Sequence, residues 1–260
     1  MTAQIAQLSD LHFGREDRAV VEGLLRDLRE QNPSLIVVSG DLTQRARSSE
    51  FSAAKDFLAS IPLPKLIVPG NHDVPLWHFW ERFLYPFRRY KIHIATEFNP
   101  FCDAPPFAII GINSVAPRRW KEGVISRSEF DRVKAILKNA PAGRIRILVM
   151  HHPMVEDLRR AANQKWFEEL GIRIILSGHR HQENSEDLPH AGTLLGQSIL
   201  WVQAGTAISE RIRGEPNSYN LISLENQTLI VATREWTNGK FELKLRREFP
   251  LTMVAKSGAV

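Results

Sequence analysis

An α/β fold is predicted by two observations. Short, β-branched apolar runs alternate with amphipathic stretches of helical spacing, and a polar motif rich in Asp, Asn, His and Gly follows most of those runs directly. The strand candidates are Ile5 to Leu8, Leu35 to Ser39, Leu66 to Val68, Phe107 to Asn113, Ile145 to Met150 and Ile172 to Ser177. They are short and continuous, as expected for strands buried on both faces.

The helices fall between them. Val20, Val21, Leu24, Leu25 and Leu28 recur at helical spacing before Asn32-Pro33 stops the run. Phe51, Ala54, Phe57 and Leu58 repeat the pattern before Ile61-Pro62. Phe130, Val133, Ile136 and Leu137 do so before Ala140-Pro141-Ala142-Gly143. A fourth stretch, Leu158 to Leu170, carries Trp166 and Phe167 and ends at Gly171. The last third changes character: Ile199 to Val202, Tyr219 to Leu224, Thr228 to Glu235 and Phe241 to Arg246 read as strands. Asn238-Gly239 between two of them is a hairpin signal. These strands read as a β meander that completes a second sheet.

A chain of 260 residues, 43% hydrophobic and 24% charged, fits one globular domain over residues 1–253, with a loose tail over 254–260. The single Cys102 rules out an internal disulfide framework and a thiolate metal cage, and points to a reducing compartment or to indifference to redox. Ile5-Ala6-Gln7-Leu8 is too short for a secretory apolar core, and no run approaches the roughly 20 apolar residues of a membrane span. A soluble, cytoplasmic protein without stable membrane insertion is expected. A net charge of +5 admits an anionic partner, but the arginines are scattered and no recognition motif accompanies them. Nucleic acid is therefore not favoured as the main ligand.

Five motifs carry the chemistry: Asp10-Leu11-His12, Gly40-Asp41, Gly70-Asn71-His72-Asp73, His151-His152 and Gly178-His179-Arg180-His181. Aspartate, asparagine and histidine are oxygen and nitrogen donors suited to zinc, manganese and iron. Taken singly, each motif could be a turn or a loop cap. Together they follow strands from distant parts of the chain, and ligand sites in open α/β sheets form at such carboxyl ends. The set is nearly complete for two metal ions, and a carboxylate between two ions suits attack on phosphate esters.

The order Asp-x-His, Gly-Asp, Gly-Asn-His-Asp, His-His-Pro, Gly-His-x-His resembles that of the calcineurin-like metallophosphoesterases. The strings Ser9 to Gly14 and Gly70 to Pro75 are most similar to the bacterial class III cyclic-nucleotide phosphodiesterase branch, and the likeness spans residues 9 to about 181. The resemblance implies a four-layer αββα sandwich, two packed mixed sheets flanked by helices. It implies two divalent or trivalent ions (manganese, iron or zinc), one held by Asp10, His12 and His181, the other by Asn71, His151 and His179, with Asp41 bridging. His72 would lie near the substrate, orienting phosphate or protonating the leaving oxygen, and Asp73 would orient His72 by a hydrogen bond. His151 rather than His152 is the expected ligand, leaving His152 structural or one step removed. A metal-bridging hydroxide would attack in line, so Ser9 and Ser39 are read as packing or turn residues. A homodimer is compatible with this branch.

The expected activity is hydrolysis of a small phosphoester, foremost a phosphodiester of a cyclic nucleotide. A nuclease, a phosphomonoesterase or a lipid-linked nucleotide hydrolase would use the same chemistry, and a scaffold without catalysis would have lost ligands. Substrate choice is expected in the loops. The segment from Leu76 to Tyr90, dense in aromatics and arginines, is read as a helix packing its aromatics into the core, with a lid over the site as the rival. Arg211 and Arg213 could bind substrate phosphate or belong to a solvated loop, and Arg118-Arg119-Trp120 carries the same two readings. His78, His93 and His190 are read as ordinary surface or core histidines.

Overall fold

The computed structural model describes residues 3–119, 123–153, 161–179, 191–194, 199–212 and 214–250. The N-terminal half unfolds along the chain as β1 (Gln4–Leu8), α1 (Arg18–Gln31), β2 (Leu35–Ser39), α2 (Ser48–Ser60) and β3 (Lys65–Val68). Two short helices follow, α3 (Phe79–Leu84) and α4 (Arg88–His93), then the hairpin β4 (Phe101–Ala104) and β5 (Phe107–Gly111). Next come α5 (Arg127–Lys138), β6 (Ile145–Val149), α6 (Ala161–Leu170), β7 (Ile172–Ser177), β8 (Ala191–Leu194) and β9 (Ile199–Gln203). The chain closes with β10 (Ser218–Glu225), β11 (Thr228–Thr237) and β12 (Lys240–Pro250).

Two mixed sheets result, in the orders β12-β11-β10-β1-β2-β3 and β4-β5-β6-β7-β9-β8. Side-chain alternation along each strand builds the layers. Ile5, Val37 and Val68 of one sheet meet Ile109, Val149 and Leu176 of the other between the sheets. Ala6, Leu8, Ile36 and Val38 point the opposite way, onto Val20, Leu24, Phe51 and Phe57 of α1 and α2. Ile110, Leu148 and Ile175 face Phe130, Val133, Phe167 and Leu170 of α5 and α6. The architecture is the expected four-layer sandwich.

Asp17 starts α1 by accepting from Ala19 N and Val20 N, and Asn32 ends it with φ 47°. The helix is held to the sheet by a buried polar knot. Asp27 of α1 accepts from Arg234 Nε and Nη2, both at 2.6 Å, and from the Tyr219 hydroxyl. Burial and the neighbouring Asp27 push the Tyr219 hydroxyl pKa up.

Three expectations need correction. The C-terminal meander does not complete a second sheet: β10 pairs antiparallel with β1 and extends the N-terminal sheet, while β9 pairs parallel with β7 in the other. Alternation reveals a strand, not the edge it will join. Neither β4 nor β8 is among the strands read from the sequence; β4 is a four-residue edge strand of mixed polarity whose short core face consists only of Cys102 and Ala104, with Phe101 and Asp103 exposed. The segment after Asp73 is divided in its behaviour. Tyr90 is fully buried and Phe87 packs on the core, as expected, whereas Trp77, Phe79, Trp80, Leu84 and Tyr85 are exposed. The stretch 158–160, the tail 254–260, Trp120 and His190 lie outside the described residues. His78 is exposed, His93 stacks on Phe51, and Arg118 and Arg119 are exposed at a turn. Among the described residues no helix is long and apolar enough to cross a membrane.

Replacing Asp27 by alanine strands the largely buried Arg234 guanidinium, so unfolding in urea should show a loss of about 3 kcal/mol.

Candidate metal centre

Each motif caps a strand whose direction aims it at one edge of the sandwich. The parallel pairing of β1 with β2 continues into the loops: Asp10 N donates to Gly40 O, His12 N to Asp41 O and Phe13 N to Leu42 O. On the other sheet, Gly178 N donates to His151 O beyond the ends of β6 and β7. Four motif residues lie in the left-handed region: Asp10 (φ 52°), His12 (47°), Asp41 (53°) and His179 (73°). That conformation costs about 1–2 kcal/mol per non-glycine residue, and the loop hydrogen bonds hold it in place.

The two edges approach so closely that two positions accept no side chain. A Cβ on Gly70 would lie 2.1 Å from Asp41 Oδ1 and 2.2 Å from Asp41 N. A Cβ on Gly178 would lie 1.9 Å from Ser9 Oγ and 2.7 Å from Asp10 Oδ2. These glycines admit the carboxylates of one loop into the backbone of another.

The donor atoms then converge. Asp41 Oδ2 lies 3.7 Å from His12 Nε2 and 3.4 Å from His151 Nε2, between the two imidazoles. On one side Asp10 Oδ1 is 3.6 Å from His12 Nε2. On the other, His151 Nε2 is 3.1 Å from Asn71 Oδ1 and 3.1 Å from His179 Nδ1. Donors held about 2.1 Å from one cation stand about 3 Å apart when adjacent, so these spacings suit metal ligation. Backbone carbonyls orient the rings: His12 Nδ1 donates to Thr43 O and His151 Nδ1 to Ser39 O, so that Nε2 of each ring, when neutral, turns its lone pair toward the cluster.

His152 joins the same cluster. Its donor atom lies within 4.8 Å of those of His151 and His179, its Nδ1 pairs with Ser114 Oγ, and its buried Nε2 has no hydrogen-bond partner among the described residues. Such an atom, amid carboxylates and imidazoles with converging lone pairs, fits a site built for cations. His181 and Arg213 lie outside the described residues.

The charges are strongly coupled. Burial pushes Asp41 up, but His151 and His72 hold its carboxyl well below the usual range; Asp10 is likewise lowered, by His12 and His151 against burial. Burial pushes His151 down, yet the Asp41 carboxylate raises it to about 9 in the metal-free chain. Burial, with His151 and His179 beside it, pushes His152 well below its ordinary value.

A profile of the family described as "Calcineurin-like phosphoesterase" matches residues 3–183. The chain belongs to the calcineurin-like phosphoesterases. A protein named "Probable cyclic nucleotide phosphodiesterase" from Synechococcus sp. is 25% identical over 212 residues, 70% of this chain and 74% of that protein. Among solved structures, a purple acid phosphatase from yellow lupin has TM-score 0.65 at 13% identity, covering 96% of this chain and 53% of that one. A dimetal phosphatase from Danio rerio has TM-score 0.62 at 12% identity, covering 96% and 99%. Both share the fold.

Within this calcineurin-like phosphoesterase, His72 stands at the cluster's edge. Its ring is edge-on to His12 with centroids 4.8 Å apart, and its backbone N donates to Asp41 Oδ1 at 2.8 Å. Its Nδ1 donates to Gln44 O at 2.8 Å, and Arg211 Nη1 approaches its Nε2 at 3.4 Å. Burial lowers its pKa, favouring the neutral ring. The expected role of Asp73 is therefore corrected. Its carboxylate accepts from the backbone N–H groups of Leu42, Thr43 and Gly70 and from Thr43 Oγ1, so it staples the loops after β2 and β3 and leaves His72 to Gln44. Burial and the nearby Asp41 raise its pKa to about 6.

Ser9 and Ser39 are likewise more than packing. Ser9 Oγ donates to Asp10 Oδ2 at 2.6 Å, Ser39 supplies the carbonyl that orients His151, and Thr206 Oγ1 binds Asp10 O at 2.7 Å. Serine next to a candidate ligand was a usable signal; the carbonyls of Ser39, Thr43 and Gln44 leave none in a sequence.

Two outcomes are expected. Gly70→Ala should abolish metal uptake, measured as bound metal per chain, while the circular dichroism spectrum persists. A His151 that ligates must be neutral, whereas the metal-free fold is stabilised by the protonated ring below pH 6.5 and loses that contribution as pH rises through about 9. Apparent metal affinity in competition titrations should therefore climb with pH up to about 9, by up to about tenfold per unit for this proton.

Proposed function

We propose that the protein is a dinuclear metal-dependent phosphodiesterase acting on a small phosphodiester, a cyclic nucleotide being the leading candidate, with residues 1–253 as one catalytic domain. The observation that carries this reading is the position of Asp41 Oδ2 between two sets of donors, Asp10 with His12 on one side and Asn71, His151 and His179 on the other. Asp41 would bridge, and His181 would complete the first set. Manganese, iron and zinc all suit nitrogen and oxygen donors. Similarity to the relative from Synechococcus sp., with its phosphodiesterase name, supports the diester over a monoester.

When bound, two such ions supply polarisation of the phosphoryl oxygens and a nucleophilic water at neutral pH. The chain's own residues do the rest. Asn71, the Asp10 and Asp41 carboxylates and the imidazoles of His12, His151 and His179 would hold the ions. Ser9, Ser39, Thr43 and Thr206 hold those ligands in orientation. His72, kept neutral by burial and fixed through Nδ1 by Gln44 O, directs Nε2 toward the substrate side beside Arg211. Arg211 can bind a non-bridging phosphate oxygen, and His72 can position the phosphate or help protonate the leaving oxygen.

Purified protein with manganese should hydrolyse an aryl phosphodiester, and a chelator should stop it. Asp41→Ala should leave no measurable turnover with the fold intact. His72→Ala should lower kcat by about 10²–10⁴-fold while metal content is unchanged. Turnover of cyclic nucleotides compared with linear dinucleotides, monoesters and lipid-linked nucleotides tests the substrate; preference for any of the last three would overturn the cyclic-nucleotide reading.

A further inference from the structure

The six-residue α3 is built inside out. Its buried residue is Arg82, whose Nη1 donates to Pro75 O at 3.2 Å, while its large apolar side chains face solvent. Trp77 and Trp80 are each 75% exposed, Tyr85 66%, and Phe79 and Leu84 63%, with Phe83 beside them. Phe79 packs on Phe83 and against Trp80, with ring centroids 4.5 and 5.9 Å apart, so these three rings form one connected exposed cluster. Scattered exposed apolar residues are ordinary on a soluble protein; a contiguous cluster around a helix that buries its arginine is not.

The cluster is held firmly. Arg89 on α4 binds Glu81 of α3 at 2.6 Å and Ala46 O at 2.8 Å, fastening the two short helices to the loop before α2. The patch begins four residues after Asp73, and the bond from Arg82 to Pro75 O ties α3 to the chain two residues past that motif. Its charge is one-sided. Residues 76–92 contain Arg82, Arg88, Arg89 and Lys91 but only one acid, Glu81, which Arg89 engages; Arg88 and Lys91 are exposed.

We propose that this face docks on an anionic lipid surface, bringing the metal centre to the boundary between lipid and water. Tryptophan, tyrosine and phenylalanine favour the headgroup region, and flanking cations are attracted to anionic lipid. Two copies meeting through this segment would bring together chains that each carry the exposed cations Arg88 and Lys91 on the helix that follows the patch, a like-charge arrangement. Docking on the surface also agrees with the absence, among the described residues, of any helix able to cross a membrane.

The test is flotation of the full-length protein with vesicles of phosphatidylcholine alone and of phosphatidylcholine mixed with phosphatidylglycerol. The protein should float with the mixed vesicles, and the W77S/W80S double variant should bind at least about tenfold more weakly. Arg88→Glu and Lys91→Glu should each weaken binding by about fivefold or more without touching the apolar cluster. All variants should keep wild-type turnover of a soluble aryl phosphodiester, which also verifies their folding. The proposal is overturned if the wild type does not float or if both the double variant and the charge variants float equally well. It is also overturned if sedimentation velocity shows a wild-type dimer, absent in the double variant, that binds no vesicles. Flotation needs no turnover, so its failure and a failure of the phosphodiesterase reading are seen separately.

Discussion

The close approach of two loop edges at Asp41 is the constraint on which the rest of this protein depends. Asp41 Oδ1 accepts from His72 N, Oδ2 faces His12 and His151, and the missing side chain of Gly70 makes room for the carboxylate. Those contacts join the ends of β2 and β3 to the end of β6 on the opposing sheet. The sandwich core of Ile5, Val37, Val68, Val149 and Leu176 sets the sheet separation, and the edge geometry follows from it. A shift of even one ångström between the sheets would pull the donors out of ligating range.

The centre concentrates charge where water cannot screen it. The Asp10 and Asp41 carboxylates and several buried imidazoles crowd together, and Asp10, Asp41, His151 and His152 are each displaced from their ordinary protonation behaviour by burial and by one another. Asp73, only two residues from Asn71, shows a different way to keep an acid buried. Four donors, three of them backbone N–H groups, surround it, and it serves the loops rather than the substrate. Asp10 and Asp41 have fewer donors of that kind and face imidazoles instead, the arrangement expected of carboxylates reserved for cations.

Much of the scaffold was legible because burial writes a period into the chain. Leu35 to Ser39 reads as a strand with its true boundaries, since every side chain is apolar or small and both faces are covered. Helix α1 reads from Val20 to Leu28 and extends to Arg18 and Gln31, where capping by Asp17 and Asn32 takes over from periodicity. The strand β4 escaped because an edge strand need not be apolar. In the site, side-chain donors after strands were visible, whereas the carbonyls that orient His12, His72 and His151 were not, because any residue type supplies a carbonyl.

By itself the sequence determined the chemistry on offer: which strands exist, and which oxygen and nitrogen donors stand at their ends. Only the tertiary structure decided how those parts are used. It sent β10 to the free edge of β1 and β9 to the other sheet, turned Asp73 toward the loop backbone, and showed α3 with its arginine inward and its aromatics outward. The physical reason is the same in each case. Periodicity and composition record that a side chain has two kinds of surroundings, but which neighbour supplies each is settled by packing between segments far apart in the chain.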